Sequence, residues 1–239
     1  MGDAQSEGEG PRCVGCGQRV RTLFVQYSPG NIRLMKCDSC KAVADPYIEC
    51  EFMIILIDLI LHKTRAYRHI LFNKLSMGSS VDKGMLYWAP LMHIALDAFR
   101  ISFLKGNRAD GASSTSIFST IFCCSEVVVS ALLGNITFMI MLFLGMRFIL
   151  KQSFNITRYR EVLFAIIISS YFKMFLLTMM IWEFPSSVIF IVEMFVLSSN
   201  VVALRVVSQF SKAHCFTVCF MAHGAKCLTE RWILGTPRA

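Results

Sequence analysis

The chain has 239 residues, of which 55% are hydrophobic and only 17% are charged, and its formal net charge is +8. Soluble proteins carry roughly 25% charged residues, so this composition argues against an ordinary soluble domain, and the high apolar content excludes an intrinsically disordered chain. Because the mean hydropathy is +0.55, we expect the surplus apolar surface to face lipid.

Two cysteine pairs dominate the segment 11–52, which follows a predicted flexible tail at 1–10. Each pair has the spacing C-x-x-C, and twenty residues separate the two pairs. We predict one strand at 20–27, a second at 32–36 and a turn between them. This order of knuckle, strand, turn, strand and knuckle is typical of a zinc ribbon, in which four thiolates hold a structural Zn²⁺. The predicted ligands are Cys13, Cys16, Cys37 and Cys40.

Two other interpretations of this segment are weaker. The cysteines could instead form two redox or disulfide pairs, but a cytosolic location argues against that. The segment 11–52 holds six Lys or Arg and four Asp or Glu, and four thiolates around one Zn²⁺ add two negative charges. The resulting charge of zero argues against a nucleic-acid partner.

The segment 53–75 has an apolar half that is followed at once by a basic half. The apolar half is too short to span a bilayer, so we predict an amphipathic helix that lies in the membrane interface, with its basic side toward anionic headgroups. The alternative is a helix that docks the ribbon onto a helical bundle, and Asp58 favours it because a carboxylate in an apolar run needs a partner. A linker is predicted at 76–84. The residues predicted to contact lipid are Lys63, Arg65, Arg68 and His69.

Four apolar stretches follow this linker, and a helix needs about 20 residues to cross a hydrocarbon core of about 30 Å. Lys and Arg are concentrated in the loop 147–161 and after position 204. With a cytosolic N-terminus, the positive-inside rule places both segments in the cytosol, so 205–239 is predicted to be a cytosolic tail. The predicted spans of the transmembrane bundle, 85–204, are about 85–104, 127–146, 162–182 and 186–204.

The predicted fold class is therefore a multi-pass α-helical membrane protein with a small N-terminal zinc-ribbon (β-hairpin) domain. Two charges lie inside consecutive spans: Lys173 and Glu193 reach similar depths when the chain folds back at the turn between them, which predicts an intramembrane ion pair. Such a pair either fixes the register of the helices or lines a site for a lipid headgroup. A stripe of polar residues at i, i+4 and i+7 has the same two interpretations, packing or headgroup binding, with catalysis as a third; it consists of His93, Asp97 and Arg100.

Near the C-terminus, Cys215, Cys219 and His223 share one helical face. We interpret them as a packing face of small residues in preference to a second metal site. No nucleophile motif or phosphate-binding loop is present in the sequence, which disfavours an enzyme; an intramembrane enzyme would have to use His93 and Asp97.

Residues 45–73 read DPYIECEFMIILIDLILHKTRAYRHILFN. This segment, behind the two cysteine pairs, resembles the Arv homology region, and the whole chain resembles a plant-like member of the Arv family, most closely over 11–73. The resemblance implies a multi-pass protein of the endoplasmic reticulum whose four paired cysteines bind zinc. It assigns no chemical role to the family's signature positions, which here are Tyr47, Glu49, Asp58, Tyr67, Arg68, His69 and Asn73.

The resemblance also implies a function. Arv proteins take part in sterol and sphingolipid homeostasis and in assembly of glycosylphosphatidylinositol (GPI) anchors. We therefore expect a non-enzymatic mediator of sterol homeostasis, acting in sterol uptake, intracellular trafficking and distribution into membranes, with effects on sphingolipid metabolism. The expected partners are membrane lipids (sterols, sphingolipids or GPI intermediates) and lipid-biosynthetic enzymes. The alternative is a membrane adaptor that supports a lipid-biosynthetic complex such as GPI-anchor synthesis.

Overall fold

The structure is a computed structural model that describes residues 10–74, 82–106, 117–149, 156–174, 176, 185 and 187–235. The chain divides into two compact units, Met1–Met85 and Leu86–Ala239, which are taken separately below. Nearly all of the predicted tail, 1–10, and most of the predicted linker, 76–84, lie outside the described residues.

The N-terminal unit contains an antiparallel hairpin of β1, Phe24–Ser28, and β2, Asn31–Leu34. Phe24 pairs with Leu34 and Gln26 pairs with Ile32. The tight turn between the strands needs a left-handed backbone at Gly30, whose φ is +84°, and glycine adopts this conformation without steric cost. The predicted strand, turn and strand are confirmed, although both strands are shorter than predicted.

Three helical pieces follow the hairpin where the sequence predicts one helix over 53–75. After a 3-10 turn, Pro46–Glu49, come helix α1, Phe52–Ile60, helix α2, Thr64–Arg68, and a π-helical turn, His69–Lys74. The prediction of a single helix is wrong because His62 adopts a left-handed backbone with φ of 55°, which ends α1 and redirects the chain.

The second unit is helical in all its described regular elements. Helix α5, Ile156–Ser169, continues into a 3-10 turn, Ser170–Met174. Two of the helices are long and apolar enough to cross a membrane, judged by length and composition: Cys124–Phe148 within α4 and Ser187–Ser208, which is α6. The helices are α3, Asp82–Gly106; α4, Ile117–Phe148; α5, Ile156–Ser169; α6, Ser187–Ser208; and α7, Lys212–Gly235.

The predicted spans compare unevenly with these helices. Those at 127–146 and 186–204 fall within α4 and α6, the two helices with the composition of a membrane span. The span at 85–104 falls within α3, a continuous helix that contains Pro90. Only part of the span at 162–182 lies within the described residues, as the end of α5 and the 3-10 turn after it.

The segment predicted as a tail, 205–239, is largely the helix α7 and the end of α6, and α7 packs along α4. The two helices are antiparallel, because Gly134 lies against Glu230 and Gly145 lies against Val218. A Cβ atom added to Gly145 would come within 2.7 Å of a Val218 methyl carbon, so only glycine permits this approach. The prediction of a tail outside the bundle is therefore wrong. Polar and apolar residues alternate over 205–239, so the segment did not look like a membrane span, although one face of α7 is fully buried.

Candidate functional sites: a cysteine cluster and a buried charge network

The four cysteines of the two pairs converge at one point of the N-terminal unit. Their sulfur atoms all lie within 4.8 Å of one another. The Sγ atoms of Cys13 and Cys40 are 3.7 Å apart, and those of Cys16 and Cys37 are 3.6 Å apart. A tetrahedron with Zn–S bonds of about 2.3 Å would separate its sulfurs by about 3.8 Å, whereas a disulfide joins sulfurs at about 2 Å. The quartet fits a tetrahedral thiolate-bound metal, and zinc remains the predicted ion.

The two knuckles are built by the same backbone turn. The Gly17 N–H donates to the Cys13 carbonyl at 2.9 Å, and the Lys41 N–H donates to the Cys37 carbonyl at 2.9 Å. Both donors have a left-handed backbone, with φ of +82° at Gly17 and 61° at Lys41. Glycine meets this requirement freely in the first knuckle, and a lysine meets it at some cost in the second.

The thiols of the cluster differ in acidity. Burial raises the pKa of Cys13 to about 11. Backbone N–H groups of Cys40 and Ser39, which donate to the sulfur of Cys37, lower the pKa of that thiol to about 7. The Cys37 thiol is thus ready to act as a thiolate near neutral pH, while the Cys13 thiol needs a metal cation to displace its proton.

A buried carboxylate joins the ribbon to the helical pieces that follow it. Asp45 is fully buried, and its Oδ2 lies 2.7 Å from His69 Nδ1 and 2.6 Å from the amide nitrogen of Asn73. Asn73 also makes two hydrogen bonds with the backbone of Arg12, at 2.8 and 2.9 Å. Asp45 Oδ1 accepts from the backbone N–H of Tyr47 at 3.0 Å. His69 and Asn73, two of the signature positions, therefore hold the ribbon and the π-helical turn together.

Arg68 acts on the first knuckle. Its Nη1 atom donates to the carbonyls of Val14 at 3.0 Å and of Gly15 at 2.6 Å. Together with His69, it belongs to the structure of the unit, so the prediction that these two residues contact lipid is corrected. A basic residue beside an apolar run resembles a membrane anchor in sequence. The Arg68 guanidinium instead donates hydrogen bonds to carbonyls more than fifty residues earlier in the chain.

The other two residues predicted to contact lipid are exposed. Lys63 lies 2.7 Å from Asp58 Oδ1, and Arg65 lies on the surface of α2. Asp58 also accepts from the Tyr47 hydroxyl at 2.7 Å. Hydrogen bonds from Lys63 and Tyr47 lower the pKa of Asp58, while burial and the neighbouring carboxylate raise the pKa of Tyr47. The partners that Asp58 needs are therefore supplied within the N-terminal unit, by Tyr47 and Lys63, and docking of the helix onto the bundle stays a prediction.

The second unit contains six charged side chains in one network. Asp97 on α3 binds two cations: Lys173 Nζ lies 2.8 Å from its Oδ1, and Lys226 Nζ lies 2.6 Å from its Oδ2. Arg100, one turn further along α3, donates to Glu230 Oε2 at 2.6 Å and lies 3.2 Å from Glu193 Oε1. Three acids and three bases cancel, which reduces the cost of placing charge among apolar helices.

The predicted direct pair of Lys173 with Glu193 is replaced by this network. Each of the two pairs with a residue of α3, since Asp97 takes Lys173 and Arg100 takes Glu193. The prediction compared the depths of two residues on two consecutive helices. It could not reveal that a third helix, α3, carries better-placed partners. Sequence reasoning does not find Lys226 and Glu230, because it predicts a tail where α7 lies; their i, i+4 spacing is the available signal.

Neutral polar side chains complete the network. Asn135 of α4 donates to Asp97 Oδ2 at 2.8 Å and accepts from Lys226 at 3.3 Å. His93 Nδ1 lies 3.2 Å from Lys173 Nζ. The predicted stripe of His93, Asp97 and Arg100 thus faces the interior of the unit as one polar surface.

The residues considered for a second metal site do not form one. Cys215 and Cys219 are fully buried, and the Cys215 sulfur lies 3.6 Å from the Ser208 hydroxyl. His223 Nε2 lies 3.1 Å from the Asn200 amide nitrogen. Among the described residues, the N-terminal quartet is the group of three or more His, Cys, Asp or Glu side chains placed to share an ion. Cys215, Cys219 and His223 instead lie on the packing face that the sequence indicated.

The profile of the Arv1-like family matches residues 12–204. The chain belongs to the Arv1-like family. It is 46% identical over 219 residues to Protein ARV 2 of Arabidopsis thaliana, covering 92% of this chain and 93% of that protein. It is 45% identical to Protein ARV 1 of the same plant, with 89% and 84% covered, and 34% identical to the arv1 homolog of Dictyostelium discoideum, with 81% and 83% covered.

No solved structure matches this Arv family member significantly. The predicted resemblance, including that to a plant Arv protein, is confirmed. Family membership and the two apolar helices together indicate a membrane protein, and the relatives carry names without an enzymatic activity, which fits a non-enzyme.

Proposed function

We propose that this Arv protein mediates sterol homeostasis in the endoplasmic reticulum membrane, acting in sterol uptake, intracellular trafficking and distribution into membranes, with effects on sphingolipid metabolism. Membership of the Arv1-like family carries the proposal. The physical support is a neutral network of six charges enclosed by apolar helices, a combination suited to a molecule that is mostly hydrocarbon with a small polar end.

In the proposed arrangement the protein is multi-pass and its N-terminus is cytosolic. Cys13, Cys16, Cys37 and Cys40 would hold a structural Zn²⁺, which supplies folding free energy to a unit with a small core. With four protein ligands the ion has no open position, so it stabilises the fold and takes no part in chemistry.

Helix α1 would bring this unit to the membrane surface. Phe52, Met53 and Ile57 are each more than half exposed, while Ile55 and Leu59 face the interior. An apolar face next to the exposed cations Lys63 and Arg65 is suited to the boundary between acyl chains and anionic headgroups. Lys63 and Arg65 are the two residues that retain the proposed contact with lipid.

The test is sterol transfer by the purified full-length protein between donor and acceptor liposomes, together with sterol analysis of membrane fractions from cells that lack the protein. We expect transfer above the protein-free rate and sterol accumulation in the endoplasmic reticulum of deficient cells. Normal sterol distribution in those cells, combined with no transfer, would refute the function.

The second candidate is a membrane adaptor that supports a lipid-biosynthetic complex, such as the one that makes GPI anchors. The observation in its favour is the same exposed apolar face of α1, which is also suited to a protein partner. Stoichiometric co-purification with a biosynthetic enzyme in the absence of sterol transfer would favour the adaptor.

A further inference from the structure

Helix α7 lies alongside both of the helices that have the length and composition of a membrane span. It packs antiparallel to α4. It is also antiparallel to α6, because the Cys215 sulfur lies 3.6 Å from the Ser208 hydroxyl and His223 Nε2 lies 3.1 Å from the Asn200 amide nitrogen. A helix that packs side by side with two membrane spans lies at the same depth as they do.

The outward surface of α7 is apolar between its two ends. The helix has 24 residues and is about 36 Å long, enough to cross a hydrocarbon core of about 30 Å. Its charged residues Lys226 and Glu230 are each only 4% exposed, since both belong to the buried network. The Thr217 hydroxyl donates to the Ala213 carbonyl of the same helix at 3.0 Å. The exposed side chains between positions 215 and 230 are Phe216, Thr217, Phe220, Met221, Cys227 and Leu228.

Polar and amphipathic side chains lie at both ends of this apolar surface. Lys212 and His214 are exposed at the start of α7, and Arg231 and Trp232 are exposed near its end. Basic residues and tryptophan are typical of the boundary between hydrocarbon and headgroups, and long basic side chains reach that boundary from slightly inside the core. The surface therefore has the pattern of a face that contacts lipid.

The polar residues inside the bundle lie at one common depth. Lys226 lies 14 positions after the start of α7, Glu193 lies 15 positions before the end of α6, and Asn135 lies 13 positions before the end of α4. In this antiparallel packing the start of α7 meets the ends of α4 and α6, so all three residues lie about 20–23 Å from the same side of the bundle. Such an agreement is expected of helices that cross the membrane together.

We propose that α7 is a membrane-spanning helix whose outer face, over residues 216–228, contacts the acyl chains of the bilayer. The end of α7 then lies beside the start of α4, on the side of the membrane opposite to the loop predicted over 147–161. This inference rests on the proposed multi-pass arrangement and deepens it, because with a cytosolic N-terminus the end of α7 faces the lumen. Lys226 and Glu230 hide this span from a hydropathy scan, although both point away from lipid.

The crossing is tested with the full-length protein made in sealed microsomes. A tag with an epitope and a glycosylation sequon is joined after Ala239 by a long flexible spacer. We expect the tag to be glycosylated and protected from added protease, while the native sequon at Asn155 stays unmodified. An unmodified, digested tag together with an unmodified Asn155 would overturn the proposal, and so would a sugar at both places, because either result puts both reporters on one side.

The contact with acyl chains is tested in nanodiscs that contain a phospholipid with a photoreactive group in its acyl chain. We expect labelling of the α7 segment 216–228 to a similar extent as the exposed residues Ile136 and Ile140 of α4, which serve as the internal reference. Labelling of α4 without labelling of α7 would overturn the proposal, since water, a partner helix or a second copy of the chain would then cover this face.

Two matched variants separate a lipid-facing surface from a water-facing one. Phe220→Lys places a charge in the middle of the outer face and should lower the yield of membrane-inserted protein several-fold, because a lysine near the bilayer centre is costly. Ala213→Lys adds the same charge two turns earlier, at an exposed position in the first turn of α7, and should leave the yield unchanged. Equal yields of the two variants would overturn the proposal.

Failure of this proposal is distinguishable from failure of the proposed function. If both reporters lie on one side while the protein transfers sterol, the span is wrong and the function stands. If the reporters lie on opposite sides without sterol transfer or a change in sterol distribution in deficient cells, the span stands and the function is wrong. A sugar on Asn155 with a digested tag means that α7 crosses and that the proposed cytosolic N-terminus is wrong.

Discussion

Lys226 and Asp97 are 129 positions apart in the sequence, yet the ammonium of one lies 2.6 Å from the carboxylate of the other. Asp97 also binds Lys173, so a single fully buried carboxylate serves two cations from different parts of the chain. Helix α3 is therefore the element with which the charged side chains of the other segments form ion pairs.

Replacing Asp97 with Asn should therefore destabilise the helical unit strongly. The variant removes the carboxylate that two buried ammonium groups share, of which Lys226 keeps only Glu230 at 4.0 Å, and breaking a buried pair from one side costs about 3–5 kcal/mol. We expect a lower unfolding temperature in detergent and a lower protein level. Lys212→Gln, which changes an exposed lysine at the start of α7, is the control. A variant as stable as the control would show that the network contributes nothing to folding.

Replacing both Cys13 and Cys16 with Ser should remove zinc and unfold the ribbon. The double variant keeps two of four ligands, which cannot close a tetrahedral site. The bound zinc of the purified protein, measured by atomic emission, should fall from about one per chain to nearly none. Cys124→Ser, at an exposed cysteine of α4, should retain its metal. Zinc that stays near one per chain in the double variant contradicts the site assignment.

Gly145→Ala tests the close contact of α4 with α7. The added methyl group would lie 2.7 Å from a Val218 methyl carbon, so the valine side chain or the two helices must shift, at a cost of about 1–3 kcal/mol. Gly224→Ala is the matched control, because nothing lies within 4 Å of the added atom and alanine favours a helix. The first substitution should lower the unfolding temperature, and Val218→Ala should partly restore it. Equal stability of the two glycine variants would mean that α7 does not pack closely on α4.

Tyr47→Phe removes the hydroxyl that donates to Asp58, and it should lower the free energy of unfolding by about 1–2 kcal/mol at neutral pH. The hydrogen bonds of Asp58 lower its pKa in the folded state. The stabilisation is therefore complete above the ordinary Asp pKa of 3.8 and is lost as the pH falls through the lower, folded value. The difference in unfolding midpoint between wild type and variant should shrink in acid. Because both proteins share the cysteine cluster, effects of metal loss cancel in this difference, and a gap that widens in acid would refute the assignment.

Asn155 tests the proposed topology, since it begins the glycosylation sequon Asn155-Ile156-Thr157 in the loop predicted over 147–161, directly before α5. With a cytosolic N-terminus and spans at 85–104 and 127–146, this loop is also cytosolic. The protein made in microsomes should therefore show no change in gel mobility after glycosidase treatment. A sequon added to the N-terminal tail is expected to stay unmodified as well. A sugar on Asn155 would invert the proposed orientation.

Local patterns allowed parts of this structure to be predicted. The spacing of four cysteines around a turn at Gly30 is enough to indicate a metal-binding hairpin, because each knuckle is made by residues within five positions of each other. The apolar segments of α4 and α6 were equally accessible, since length and composition alone define them.

Non-local features were beyond the sequence pattern. The left-handed backbone of His62 breaks the helix predicted over 53–75. No glycine or proline at this position indicates the break in the sequence. Arg68 and His69 have partners on the ribbon that lie far away in sequence, so their basic character suggested headgroups instead. The partners of Lys173 and Glu193 depend on where α3 and α7 pack, which periodicity within one helix does not determine.

The order of α3 and α7 along the chain bears on how the protein is made. Asp97 emerges from the ribosome long before Lys226, so until α7 has been made the growing bundle contains a carboxylate that has only one of its two ammonium partners. Arg100 likewise lacks its partner Glu230 until α7 has been made. A stop codon within α7 that removes Lys226 and Glu230 would thus leave Asp97 and Arg100 with one ion-pair partner each from another segment, Lys173 and Glu193, and would shorten the contact of α7 with α4, which makes the product a target for quality control and degradation.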